Sequence, residues 1–177
     1  MIQRRTPRLK GWDYRTPGAY FVTVVTHLRR PLFGLIDAHG VMTRSDVGII
    51  AEVEWWRAAA LALNVDSPAF VLMPNHVHGI LYLNPNTNGG YAARSLPDFV
   101  GRYKAAVSRQ IGHAIWQRSF YDRIIRDDQE FEALQRYIES NPAKWAEDQE
   151  NPVAVRAGPV PPPRPAGGMY PAPTARR

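Results

Sequence analysis

The clearest apolar run in the first part of the chain is Ala-Tyr-Phe-Val-Thr-Val-Val-Thr over residues 19 to 26, bounded by Gly18 and by Arg29 to Pro31. Its β-branched and aromatic content predicts a buried strand, with a short Leu32 to Ile36 piece as its pairing partner. Ser45 or Asp46 is suited to cap a helix in which Val47, Ile50, Val53, Trp56 and Leu61 recur at three- and four-residue spacing. That helix is expected to bury the Val47 face and to end near Leu63. Ala69 to Met73 and Val77 to Leu83 read as strands joined at Pro74-Asn75 into a hairpin.

After an Asn/Gly-rich loop over residues 84 to 90, Ser95 with Asp98 three residues later predicts a second helix running to about Ile111. Trp116 to Ile125 is extended. Asp127 and Asp128 then cap a third helix with an apolar stripe of Phe131, Leu134 and Ile138, and Glu132 sits one turn before Arg136. Asn141-Pro142 is expected to end it, because a proline pushes the preceding residue out of right-handed helical geometry. The resulting order of strand, helix, strand, strand, helix, strand, helix is α+β. It predicts a ferredoxin-like split βαβ with a four-stranded antiparallel sheet and an added C-terminal helix.

The ends differ in character from this core. Residues 1–18 form a basic N-terminal arm with Arg4, Arg5, Arg8, Lys10 and Trp12, residues 19–148 the folded domain, and residues 149–177 a Pro/Gly-rich tail expected to be disordered. The 22 Lys and Arg against 16 Asp and Glu leave a net charge of +6, which favours a polyanionic partner. No apolar run reaches the roughly 20 residues of a membrane span, so a cytoplasmic location without a membrane partner is expected. The chain has no cysteine, which excludes disulfides, thiolate metal sites and cysteine nucleophiles, and leaves His, carboxylate and amide oxygen as metal donors.

In Met73-Pro74-Asn75-His76-Val77-His78 the two histidines are two residues apart on a strand, so both point to one face, about 7 Å apart along it. Such a pair can converge on a divalent cation or stand as two half-exposed strand-end histidines. On the third helix Tyr137 and Asn141 are four residues apart and share a face. They read either as a phenol beside an amide metal ligand or as a core-edge tyrosine and a helix cap. Basic residues interleaved with aromatics, the arm together with Arg102, Lys104, Arg109 and Arg118 near Tyr103 and Trp116, fit a channel for single-stranded nucleic acid.

The Met73 to His78 segment is similar to the Met-Pro-Asn/Asp-His-Val-His signature of single-tyrosine HUH transposases. Tyr137-Ile138-Glu139-Ser140-Asn141-Pro142 resembles their Tyr-Ile-x-x-Asn-Pro signature, and Trp116-Gln117-Arg118-Ser119-Phe120-Tyr121-Asp122 lies between them as in that family. The segments Arg8 to Tyr14 and Gly18 to Thr23 resemble the opening of its REP-associated branch. The likeness runs from Arg8 to Trp145.

This resemblance implies that His76 and His78 hold Mg²⁺ or Mn²⁺, that Asn141 completes the metal shell, and that Tyr137 is the nucleophile. The implied activity is cleavage and rejoining of DNA through a 5′-phosphotyrosine, in DNA transposition or recombination, on single-stranded or hairpin DNA. Monomer and homodimer both stay open. Two alternative readings are a non-catalytic single-strand-binding module on the same fold and a phosphodiesterase that uses water as nucleophile.

Overall fold

The computed structural model describes residues 9, 11–85, 93, 95–148, 150 and 151. Arm residues Arg4, Arg5, Arg8 and Lys10, and residues 149 and 152–177 of the tail, lie outside the described residues. Within them the chain runs β1 (Gly18–Val25), β2 (Gly34–Ile36), β3 (Met42–Arg44), α1 (Asp46–Leu61), β4 (Val65–Met73), β5 (His76–Leu83), α2 (Leu96–Ile111), β6 (Tyr121–Ile125) and α3 (Asp128–Ser140). Strands β4, β5, β1 and β6 lie side by side in that order, all antiparallel, in the ferredoxin-like arrangement. The three helices start where the sequence signals lie. Ser45 Oγ accepts from the Gly48 N–H, Ser95 Oγ from the Asp98 N–H, and Asp127 Oδ1 from the Glu130 N–H.

The Leu32 to Ile36 piece does not pair with β1. Gly34–Ile36 instead pairs with Met42–Arg44 in a separate two-stranded ribbon, because both edges of β1 are already taken by β5 and β6. The buried face of α1 differs in part from expectation. Val47 and Ile50 pack against the core, but Val53, Trp56 and Leu61 are exposed, while Gly48, Ala51, Glu54 and Trp55 are buried. This helix is apolar nearly all round, so spacing alone does not pick a face. Close approach decides it, since a Cβ on Gly48 would lie 2.1 Å from the Phe33 carbonyl oxygen.

The sheet separates two environments. Helices α1 and α2 cover one face, where Tyr20, Val22, Val24, Val77 and Leu81 pack with Trp55, Phe99 and Tyr103. Tyr14, Tyr103 and Trp116, expected near nucleic acid, are buried in this core. Helix α3 covers part of the other face, setting Ile138 on Ala69, Ile80 and Ile125. That face also carries His76 and His78, as the alternation of β5 requires. Among the described residues no helix is long and apolar enough to cross a membrane.

Gly79 lies between the two faces' demands. A Cβ there would meet the Trp55 ring at 2.3 Å and 2.6 Å, and Trp55 is fully buried. Only a residue without a side chain lets β5 lie flat on that indole while presenting His78 to the opposite face. Gly79→Ala is therefore expected to cost about 1–3 kcal/mol by overpacking. Urea unfolding of the variant checks this, and an unchanged midpoint would contradict the packing.

Candidate metal and tyrosine site

The site is assembled from β5, β1, α3 and the 3₁₀ segment that follows α3. His76 and His78 are both buried, not half-exposed, and their Nε2 atoms lie 2.9 Å apart. What covers them is largely polar: Thr23, Asn75, Asp148 and the Tyr137 hydroxyl, with Asn141 bonded to the last two and Phe21 and Trp145 as ring neighbours. The rings are thus enclosed without being sealed in hydrocarbon.

The tautomer of His76 follows from its neighbours. The Asn75 amide nitrogen donates to two carbonyls, Arg29 O at 3.1 Å and Glu150 O at 2.6 Å, which settles which end of the amide is nitrogen. Asn75 Oδ1 is then the atom 2.8 Å from His76 Nδ1, and as an acceptor it requires the proton on Nδ1. His76 Nε2 keeps a lone pair directed into the site. His78 Nδ1 is likewise engaged, 2.8 Å from Thr23 Oγ1 on the neighbouring strand. A partner on the outer ring nitrogen is what orients a metal-binding imidazole.

Burial disfavours the imidazolium forms. It pushes the His78 pKa down to about 3. His76 is also pushed well down, first by burial and then by His78 and Arg29. Both rings are neutral at neutral pH, the form that ligates metal.

Their spacing suits an ion as well. Two cis ligands at roughly 2.1 Å from a hard divalent cation sit about 3 Å apart, close to the observed Nε2 separation. Asp148 joins the pair, with Oδ2 3.8 Å from His76 Nε2, and ligand atoms of all three residues lie within 4.8 Å of one another.

Tyr137 projects from α3 over this group, its hydroxyl 3.5 Å from His78 Nε2 and its ring edge-on to Phe21 and His78. Desolvation chiefly, and then the Asp148 charge, raise the phenol to about 12, while a side-chain hydrogen bond from Asn141 works the other way. Asn141 is buried and its Oδ1 has no hydrogen-bond partner, an orphan acceptor inside the site. Contrary to expectation Asn141 keeps right-handed helical geometry (φ −60°, ψ −44°) before Pro142, and the chain continues as a 3₁₀ turn over Pro142–Glu147. The Asn141 N–H to Ile138 O bond and the Lys144 N–H to Asn141 O bond hold it there.

The remaining basic residues lie elsewhere. Arg102 and Arg109 are exposed on α2, on the side of the sheet away from the histidines, and Arg118 is exposed in the segment before β6. Lys104 is drawn to backbone carbonyls, its ammonium 2.5 Å from Gln117 O. Trp12 is partly exposed and donates to the Tyr20 hydroxyl. Sequence reasoning missed Asn75, Asp148, Glu150 and Arg29. Asn75 lay inside the histidine motif, whereas the other three carry no local signal.

No family model matches the chain. An uncharacterised Haemophilus influenzae protein is 32% identical over 166 residues, which span 82% of this chain and 92% of that one. A second Haemophilus influenzae protein, assigned as a REP-associated tyrosine transposase, is 28% identical over 89 residues, 45% of this chain and 50% of its own length. The solved structure of a REP-associated tyrosine transposase bound to a REP hairpin has the same fold, with a TM-score of 0.60 at 20% identity over 82% of this chain and 74% of that one.

A ferredoxin-like sheet thus presents two histidines to a tyrosine-bearing helix, the arrangement that the resemblance to single-tyrosine HUH transposases leads one to expect. The chain belongs to one family with the uncharacterised Haemophilus influenzae protein and shares its fold with the solved REP-associated tyrosine transposase.

The neutral histidine pair sets a pH dependence. Both folded pKa values lie below the unfolded value of about 6.5, so their stabilising contribution is present above pH 6.5 and is lost as the pH falls toward 3. In EDTA the thermal midpoint is expected to fall between about pH 7 and pH 5, and His78→Asn to flatten that fall. Equal midpoints at both pH values would rule out a buried neutral pair.

Proposed function

We propose that this chain cuts and rejoins single-stranded DNA by transesterification, with Tyr137 as nucleophile and a Mg²⁺ or Mn²⁺ ion held at His76 and His78. One observation carries the reading: the Tyr137 hydroxyl sits 3.5 Å from His78 Nε2, in the pocket where two neutral imidazole nitrogens converge. A phosphate seated there would meet the phenol and the metal ligands together. The orphan Oδ1 of Asn141 supports the amide as a further donor to the ion. A bound cation would supply positive charge beside the scissile phosphate and the attacking oxygen.

In the step itself the Tyr137 oxygen forms a bond to phosphorus while the bond from phosphorus to the 3′ oxygen breaks. The phenol loses a proton and the departing 3′ oxygen gains one, which leaves a 5′-phosphotyrosine and a free 3′-hydroxyl. Attack by a 3′-hydroxyl of another strand reverses the step and joins new ends. The phosphodiester energy is kept in the covalent link, so no nucleotide cofactor is needed. In the metal-free protein the phenol's pKa of about 12 keeps it protonated at neutral pH, so reactivity depends on the cation.

The strand itself is assigned to the basic arm with Arg4, Arg5, Arg8, Lys10 and Trp12 and to Arg102, Lys104, Arg109 and Arg118, whose charges attract phosphates. The solved relative is bound to a REP hairpin, which supports hairpin DNA as a substrate to try first.

Tyr137→Phe removes one oxygen and keeps the ring against Phe21 and His78. Folding and DNA binding are expected to persist, while covalent capture of a labelled oligonucleotide through denaturing electrophoresis falls below about one-thousandth of wild type. Tyr121→Phe should leave capture largely in place. Cleavage by Tyr137→Phe at near wild-type rate would refute the assignment, and loss with Tyr121→Phe instead would move the role there. Cleavage without capture would mean that water is the nucleophile, and binding without either would leave only a binding module.

A further inference from the structure

We infer that Asp148 is an anionic ligand of the same cation, delivered by a clasp between the 3₁₀ segment after α3 and the loop after β1; this rests on the metal reading above. The Asp148 side chain is 5% exposed, and its Oδ1 is already fixed by the Glu150 N–H at 2.6 Å. Its Oδ2 is thereby left 3.8 Å from His76 Nε2, too far for a hydrogen bond. Since His76 carries its proton on Nδ1, its Nε2 has no proton to give this carboxylate, and a cation bound beside both atoms would serve both.

Charge balance points the same way. Two neutral imidazoles and an amide leave a buried divalent ion uncompensated, which is costly away from water, and one carboxylate offsets half of its charge. Mg²⁺ and Mn²⁺ also favour oxygen donors over nitrogen.

The placement of Asp148 is built into the fold. Arg29 grips Glu150 through Nε to Oε2 at 2.6 Å and a second contact at 3.3 Å, in a largely enclosed two-point pair. The Asn75 amide ties the Glu150 carbonyl and the Arg29 carbonyl together. Leu28 and Arg29 both hold left-handed backbone (φ 57° and 54°), an uncommon and costly geometry for residues with side chains. Arg29 reaches Glu150 from this backbone geometry. Asn75 therefore sets the His76 tautomer with one end of its amide and holds the segment bearing Asp148 with the other.

The test is cation binding by the full chain without DNA, by calorimetry with Mn²⁺ and with Ni²⁺, for wild type, Asp148→Asn, Glu150→Gln, His76→Ala and the exposed charge control Glu132→Gln. Asp148→Asn is expected to weaken Mn²⁺ binding about tenfold or more and Ni²⁺ binding much less, because Ni²⁺ is well served by imidazole. Glu150→Gln, which loosens the clasp while keeping Asp148, should shift Mn²⁺ in the same direction by a smaller factor, and Glu132→Gln should match wild type. Unchanged Mn²⁺ affinity in Asp148→Asn, or an equal loss for both metals, overturns the ligand role and leaves the histidine site standing. If wild type binds neither metal better than His76→Ala, the metal reading itself has failed.

Discussion

Everything at this site depends on holding two uncharged imidazoles with their Nε2 atoms 2.9 Å apart inside the protein. Burial that close would be prohibitive for two imidazolium ions and is acceptable for two neutral rings. Each ring is therefore fixed by its outer nitrogen, His76 through Asn75 and His78 through Thr23, so that the inner nitrogens share one direction. The same enclosure raises the phenol of Tyr137 and keeps it protonated at neutral pH. A neutral imidazole pair and a protonated phenol are two consequences of one desolvated site.

The far side of the sheet makes this possible. Strand β5 must be rigid to hold both rings, and it is clamped by Trp55, which reaches the backbone of Gly79 directly between His78 and Ile80. Tyr103, Phe99 and Phe70 surround that indole, so the α1 and α2 layer acts as the bed on which the histidine-bearing strand lies. Arg102 and Arg109 stand on the outside of this layer. Any nucleic acid they meet would run over the helices, on the side of the sheet away from the histidines.

Tyr137 and the Asp148 carboxylate come from consecutive pieces of chain anchored in different ways. Tyr137 rides on α3, held to the sheet by Ile138 against Ala69, Ile80 and Ile125. Asp148 belongs to the segment clasped by Arg29 and Asn75. Asn141 stands where the two meet, its backbone kept helical before Pro142, and this continuity lets the chain turn back over the histidines.

Elements whose signals are local were legible before the fold was known. The β1 run, the three helix caps, the hairpin and the same-face histidines follow from side-chain alternation and from hydroxyl or carboxylate side chains that satisfy free N–H groups, which operate within a few residues. The spacing of Tyr137 and Asn141 on one helical face was readable for the same reason. The buried face of α1 was not, because that helix offers two apolar stripes and only the approach of the Phe33 backbone to Gly48 selects one. The pairing of Gly34–Ile36 with Met42–Arg44 depended on which strands had already filled the edges of β1. Asp148, Glu150 and Arg29 were invisible in the sequence, since a charged residue in a polar stretch looks like any solvated surface group until the chain folds it against a distant histidine. Their roles come from long-range proximity and burial, and neither is encoded in any short run of residues.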